Sequence, residues 1–149
     1  MKCITGDLIE LTLAGKFDLI IHGCNCFCAM GAGIARQIRD YFPQAFQADQ
    51  STASGEKTKL GTYSKAVVET PNNKVIIING YTQFHYSGKG VLADYKAIET
   101  LFSQLKTDFS GKRMGYPKIG AGLGKGNWEV IQKIIDQALA DENHTLVVR

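Results

Sequence analysis

The chain has 149 residues, 44% hydrophobic and 21% charged, an ordinary globular balance and enough for one packed core. Its net charge of +3 is too mild for a dedicated nucleic-acid binder and suits a modest preference for anionic ligands. No apolar run is long enough to span a bilayer and no signal-peptide pattern opens the chain. The expectation is therefore one domain over residues 1–149, cytoplasmic and monomeric, with no membrane partner and with its four cysteines as thiols.

Phe17 to Cys24 is a nearly continuous apolar run, the pattern of a central strand buried on both faces. Gly33 to Phe42 reads as a helix with Ile34, Ile38 and Phe42 on one face, stopped by Pro43, which opens a further helical segment toward Ser51. Thr62–Val68 and Lys74–Asn79 are predicted strands joined by the turn Pro71-Asn72-Asn73, a hairpin that makes the sheet mixed. Val91 to Lys106 shows helical periodicity through Val91, Leu92, Tyr95, Ile98, Leu101, Phe102 and Leu105. Arg113–Pro117 is a short strand. Gly126 then caps a helix, with Glu129 completing a partial capping box, and that helix buries Val130, Ile131, Ile134, Ile135, Ala138 and Leu139. His144–Val148 is the last strand. This alternation predicts an α/β fold, a three-layer α/β/α sandwich with a mixed central sheet of about six strands and helices on both faces.

Two glycine turns stand where strand passes into helix, Met30-Gly31-Ala32-Gly33-Ile34-Ala35 and Gly120-Ala121-Gly122-Leu123-Gly124-Lys125-Gly126. Helix first turns carry unpaired N–H groups and partial positive charge, and glycine admits close approach of an oxyanion. One such turn is as easily a mere tight turn; two in matching context favour a ligand with two phosphates. A Walker A loop fails on Ile119 and Gly126, which stand where glycine and Ser or Thr are required. A Rossmann fingerprint at Gly120 lies too near the C-terminus for the rest of that fold. His22, Cys24, Cys26 and Cys28 alternate and share one side if the strand runs that far, but the spacing does not suit structural zinc, so buried or pocket-lining thiols are preferred and no metal or cofactor is expected.

The order and spacing of these pieces resemble the macro domain family of ADP-ribose-binding modules over nearly the whole chain. Thr5-Gly6-Asp7-Leu8 is similar to that family's opening motif, whose Asp accepts a hydrogen bond from the adenine amino group. His22-Gly23-Cys24-Asn25 with Gly31-Ala32-Gly33-Ile34-Ala35 resembles its Asn-Ala-Ala-Asn and first glycine loop. Pro117-Lys118-Ile119-Gly120-Ala121-Gly122-Leu123-Gly124 resembles its second diphosphate loop, and Asn127-Trp128 the start of its last helix. The resemblance implies substrate binding by Asp7, Leu8, Gly31, Ala32, Gly33, Ile34, Ile119, Gly120, Ala121, Gly122, Leu123 and Gly124. The implied partners are ADP-ribose, its derivatives and ADP-ribosylated proteins.

His22 with Tyr41-Phe42-Pro43 resembles the fungal-type ADP-ribose 1″-phosphate phosphatases more than the branch with Asn at that position. The terminal ADP-ribose–protein glycohydrolases use a Lys nucleophile and an Asp in the second loop; those positions fall near Val67, with Lys65 two residues away, and at Gly124, which disfavours the lysyl route. The resemblance thus implies a metal-independent phosphatase in which His22 activates water or protonates the leaving oxygen and Asn25 positions the distal ribose. The alternatives are a reader of ADP-ribose without chemistry, or a hydrolase of ADP-ribosyl or O-acetyl-ADP-ribose esters. For His22 a satisfied core histidine remains open. His85, in the aromatic loop Tyr81–Gly90, is either a third catalytic group or an exposed loop residue. Asp94 either caps the next helix or orients a histidine. Lys57, Lys59 and Lys65 are read as a solvated face, and nucleic acid is not the expected partner.

Overall fold

The computed structural model describes all 149 residues. Its centre is a six-stranded sheet in the order β1-β6-β5-β2-β4-β3, built from Lys2–Thr5 (β1), Leu19–Cys24 (β2), Tyr63–Glu69 (β3), Lys74–Tyr81 (β4), Met114–Tyr116 (β5) and His144–Val148 (β6). Every neighbouring pair is parallel except β3 with β4, the hairpin expected from the Pro-Asn-Asn turn. The sheet is mixed for that reason alone.

Helices cover both faces. Leu8–Leu13 (α1), Gly33–Tyr41 (α2) and Pro43–Gln50 (α3) pack on one side, burying Leu8, Ile38, Phe42 and Ala45 against Ile20, Ile77 and Val75. Tyr95–Phe109 (α4) and Trp128–Ala138 (α5) cover the other, with Ile98, Leu101, Phe102, Ile131 and Ile135 on Leu19, Ile21, Ile78 and Met114. Strand β2 is buried along both faces, which is why its sequence reads as an unbroken apolar run. No helix is long and apolar enough to cross a membrane.

Two helix starts differ from expectation. The α4 helix begins at Tyr95 rather than Val91, because Asp94 takes the N-cap and accepts the Ala97 N–H at 3.0 Å. Leu92 and Ala93 instead donate their N–H groups to the Gly124 carbonyl, so the segment before α4 belongs to the second glycine turn. The last helix is capped by Asn127, not Gly126: its Oδ1 accepts the Glu129 N–H at 3.0 Å. Elements β1 and α1 have no counterpart among the predicted elements. The strand is four residues long and exposed throughout, and the helix is under two turns, so neither shows a full period of its pattern.

Candidate functional site

A cleft of about 710 Å³ opens beyond the carboxyl ends of β2, β4 and β5, the place where open α/β sheets present loops to ligands. Its walls are the loop from Cys24 to Gly31 with the start of α2, the segment Thr82, Gln83 and Tyr86 after β4, and the turn Pro117–Gly124 after β5. The two glycine turns thus face each other across one cavity.

On the first wall, α2 starts at Gly33 with Ala32 as an extended N-cap that offers no side-chain acceptor. The N–H groups of Gly33, Ile34 and Ala35 find no backbone acceptor, and the first hydrogen bond into the helix is Arg36 to Ala32. On the opposite wall the turn is closed by its own main chain: Ala121 donates to Lys118, Lys125 to Gly122 and Gly126 to Gly120, at 3.2, 3.0 and 2.7 Å. That leaves the Gly122, Leu123 and Gly124 N–H groups without protein acceptors. Gly120 holds φ +74°, a left-handed conformation, and a Cβ on Gly124 would stand 2.8 Å from the Gly120 oxygen. Both walls therefore offer main-chain donors. Among the lining residues the one formal charge is Lys118. The cleft is built for an anion.

All of Gly31, Ala32, Gly33, Ile34, Ile119, Gly120, Ala121, Gly122, Leu123 and Gly124 line this cleft, together with Asn25. Asn25 is 9% exposed. Its Oδ1 accepts the Phe27 N–H and its Nδ2 donates to the Ala29 carbonyl, both at 2.9 Å, so the amide braces the loop and keeps one N–H and one lone pair for the cleft. Leu8 lines a second cavity of about 440 Å³, which shares Gly33, Ile34, Pro117 and Lys118 with the first. Asp7 stands at its edge as the N-cap of α1: Oδ1 accepts the Glu10 N–H at 3.0 Å and Oδ2 pairs with Arg149. That backbone hydrogen bond, with the neighbouring guanidinium, holds the Asp7 carboxyl below its ordinary range.

His22 is placed elsewhere, and this corrects the expectation of direct proton transfer to a ligand. Its ring is completely buried on the α3 side of the sheet and does not line the cleft. Nε2 lies 2.6 Å from Asn79 Oδ1. Because Asn79 Nδ2 donates to the Ala45 carbonyl (2.9 Å) and to Ser64 Oγ (3.0 Å), its oxygen must accept, so His22 carries its proton on Nε2. Burial pulls the imidazole down to about 4, partly opposed by the Asn79 hydrogen bond, so it is neutral near pH 7. The core-histidine reading, left open by the sequence, is the one this geometry matches.

His85 is also outside the cleft lining. Its Nδ1 accepts the Ser87 N–H at 3.0 Å, and its ring packs 4.2 Å from Tyr86 and 4.8 Å from Phe27 between centroids. The residue that this aromatic cluster presents to the cleft is Tyr86. Strand β2 ends at Cys24, and Cys28 adopts φ 57°, so the alternating thiols do not share one extended face. Cys24 lines the cleft, but burial pushes its thiol up and keeps it protonated. Val67 and Lys65 lie on β3 away from the cleft, Lys65 over the Phe109 ring.

Lys59 corrects a second expectation. It is 7% exposed rather than solvated. Its ammonium donates to the Cys26 carbonyl at 3.1 Å, lies 3.7 Å from Cys28 Sγ and sits 4.5 Å over the Tyr81 ring. Beneath it a one-way hydrogen-bond chain runs from Asn79 to Ser64, Tyr81 and Asp49, whose Oδ1 accepts the Tyr81 hydroxyl at 2.7 Å. This buried polar network holds the Cys24–Met30 loop from behind. Gln83, Tyr86, Lys118 and Arg149 are not named individually by the sequence reading; Lys118 sits inside the second glycine motif and Gln83 and Tyr86 inside the aromatic loop, while Arg149 has no local signal.

The Macro domain family profile matches residues 21–135. The chain is 39% identical over 141 residues to an uncharacterized 17.5 kDa protein of Enterobacteria phage T4, covering 91% of this chain and 88% of that protein. It is 26% identical over 166 residues to the ADP-ribose 1″-phosphate phosphatase of Debaryomyces hansenii, covering 92% and 93%. It is 25% identical over 132 residues to the DNA ADP-ribosyl glycohydrolase of Mycobacterium tuberculosis, covering 87% of this chain but only 36% of that protein. Among solved structures, Thermosipho africanus DarTG in complex with ADP-ribose superposes with a TM-score of 0.78 at 17% identity, over 100% of this chain and 42% of that one. The fold, the facing glycine turns and these relationships agree: the chain belongs to the macro domain family.

Proposed function

We propose that this chain binds ADP-ribose with the diphosphate between its two glycine turns and hydrolyses ADP-ribose 1″-phosphate to ADP-ribose and phosphate. The observation that carries the reading is the pair of donor-lined turns facing across a cleft whose sole charged lining residue is Lys118. A diphosphate matches that arrangement, and a terminal phosphomonoester adds a further anion to the same field. The Debaryomyces relative supports the choice of substituent.

The chemistry asks little of side chains. With Cys24 held as a thiol and His22 behind the sheet, the attacking group is water. Its oxygen bonds to phosphorus as the bond to the 1″ oxygen breaks, and the water's protons end on the phosphate and on the released sugar hydroxyl. An anomeric oxygen leaves more readily than an ordinary alkoxide, so no strong general acid is demanded. Main-chain N–H groups spread the phosphoryl charge, and the free amide N–H of Asn25 orients the distal ribose.

The test is phosphate release from ADP-ribose 1″-phosphate with chelator present, run beside ADP-ribosylated DNA, ADP-ribosyl-glutamate and O-acetyl-ADP-ribose. Turnover of the phosphomonoester that falls at least about tenfold in Asn25→Ala supports the proposal. Release of ADP-ribose from modified DNA without phosphate release would keep the ligand and overturn the phosphatase. Calorimetric binding of ADP-ribose without any turnover would leave a reader.

A further inference from the structure

The second cavity differs in charge from the first. It is lined by Gly6, Leu8, Val147 and Val148 on its apolar side and by Gln37, Lys118 and Arg149 on its polar side. Two of these are cations, and the residue that would read a neutral adenine amine, Asp7, is already engaged on both oxygens, by the Glu10 N–H and by Arg149. Arg149 Nη2 also donates to Gln37 Oε1 at 3.3 Å, so its guanidinium is held over the cavity from two sides. Two-thirds of that side chain stays exposed, and its remaining N–H groups are free to receive an anion. Lys118 stands where the two cavities join, within reach of a ligand that passes from one to the other. Asp7 pairs with the guanidinium of Arg149, and the Lys118 ammonium has no such carboxylate partner.

Resting on the reading of the main cleft as an ADP-ribose site, we infer that the adenosine end recognises a phosphate carried on the adenosine ribose. The preferred ligand class is an ADP-ribose bearing a 2′-phosphomonoester. A guanidinium fork accepts a phosphate through two parallel N–H bonds, and a lysine ammonium adds a point charge beside it. Both groups lie at the surface, so the preference is strongest at low ionic strength and shrinks as salt is raised.

Calorimetry with ADP-ribose and ADP-ribose 2′-phosphate tests this on the intact chain. The 2′-phosphate is expected to bind about tenfold more tightly at low salt, the size of a charge-assisted contact. Arg149→Gln should narrow that ratio while leaving ADP-ribose affinity within about threefold; Lys118→Gln, which also faces the main cleft, should weaken both ligands and the 2′-phosphate more, and both side chains are exposed enough that folding is not at risk. Equal affinity of the unaltered chain for the two ligands overturns the inference, as does a preference that survives both substitutions. If ADP-ribose binds and only the preference is missing, the main-cleft reading stands alone. If neither ligand binds, both fall together.

Discussion

The two glycine turns both present main-chain donors to one cleft and are held in opposite ways. The second turn, Pro117–Gly126, is closed by its own main chain and leaves no room for a side chain at Gly120, where a Cβ would meet Ile131, Ala93 and Ile98; the Gly124 carbonyl receives two N–H groups from the segment before α4. The loop of the first, Cys24–Met30, borrows its support. Asn25 ties it to itself, Lys59 and the Gly55 N–H take the Cys26 carbonyl, Gln50 takes the Cys28 carbonyl, and the His22–Asn79–Ser64–Tyr81–Asp49 chain lies beneath. One turn is a local device that glycine makes possible. The other depends on distant polar groups that converge on it, nearly all of them hydrogen-bonded; Asp49 Oδ2 at the end of that hydrogen-bond chain is buried without a partner.

Substitutions on each side should break the two turns differently. The largest effect is expected for Gly120→Val. A β-branched residue at φ +74° with three apolar atoms 3.1–3.3 Å from its Cβ should cost about 4 kcal/mol, strain and crowding together, read as a lowered urea midpoint. Next comes the pH dependence of stability on the first side. His22 is depressed to about 4 in the folded chain and is near 6.5 unfolded, so between these values the unfolded chain binds the extra proton. Its contribution is complete above pH 6.5, declines as pH falls toward 4 and is gone below. The loss is about 3 kcal/mol, and urea melts of His22→Gln should lack that part of the profile. In the same variant the proposed phosphate release at pH 7.5 should persist at a tenth or more of the unaltered level, since the ring does not line the cleft.

A smaller effect is expected for Lys59→Met. It removes one of two donors to the Cys26 carbonyl and the cation nearest Asp49, at a cost of about 2 kcal/mol by chemical denaturation. Its signature should be loosened protection of the Cys26–Met30 amides in hydrogen exchange, with the second turn unchanged. Lys65→Ala, on the face of β3 away from the cleft, should change stability by about 0.5 kcal/mol or less and leave ADP-ribose affinity alone.

Much of the fold was legible because its signals are local. The apolar run of β2, the three- and four-residue spacing in α2, α4 and α5, and the Pro-Asn-Asn turn each depend on neighbours a few positions apart. The errors arose where two segments meet. Val91 and Leu92 carry helical spacing, yet the Gly124 carbonyl, some thirty residues downstream, takes the Leu92 and Ala93 N–H groups and holds this segment out of α4. The glycine turns were readable for the same local reason, since conformation and unpaired donors at a strand-to-helix junction follow from residue type.

His22 and Lys59 show where that reading stops. A histidine beside a glycine turn has the same local sequence whether its ring faces a ligand or the packing under a helix. Which it faces depends on strand parity, and here the His22 side lies under α3, where Asn79 and Ala45 enclose it. A lysine among Lys57, Lys59 and Lys65 looks solvated until a carbonyl, an aromatic ring and a carboxylate from three other segments gather around it. Asp7 and Arg149 stand at opposite ends of the chain, and only the parallel pairing of β1 with β6 sets them side by side. The sequence by itself determined the sandwich and the two donor-lined turns, because main-chain geometry follows from local residue choice. The tertiary structure alone decided which side chains face the cleft, because burial and charge are set by groups far apart in the chain.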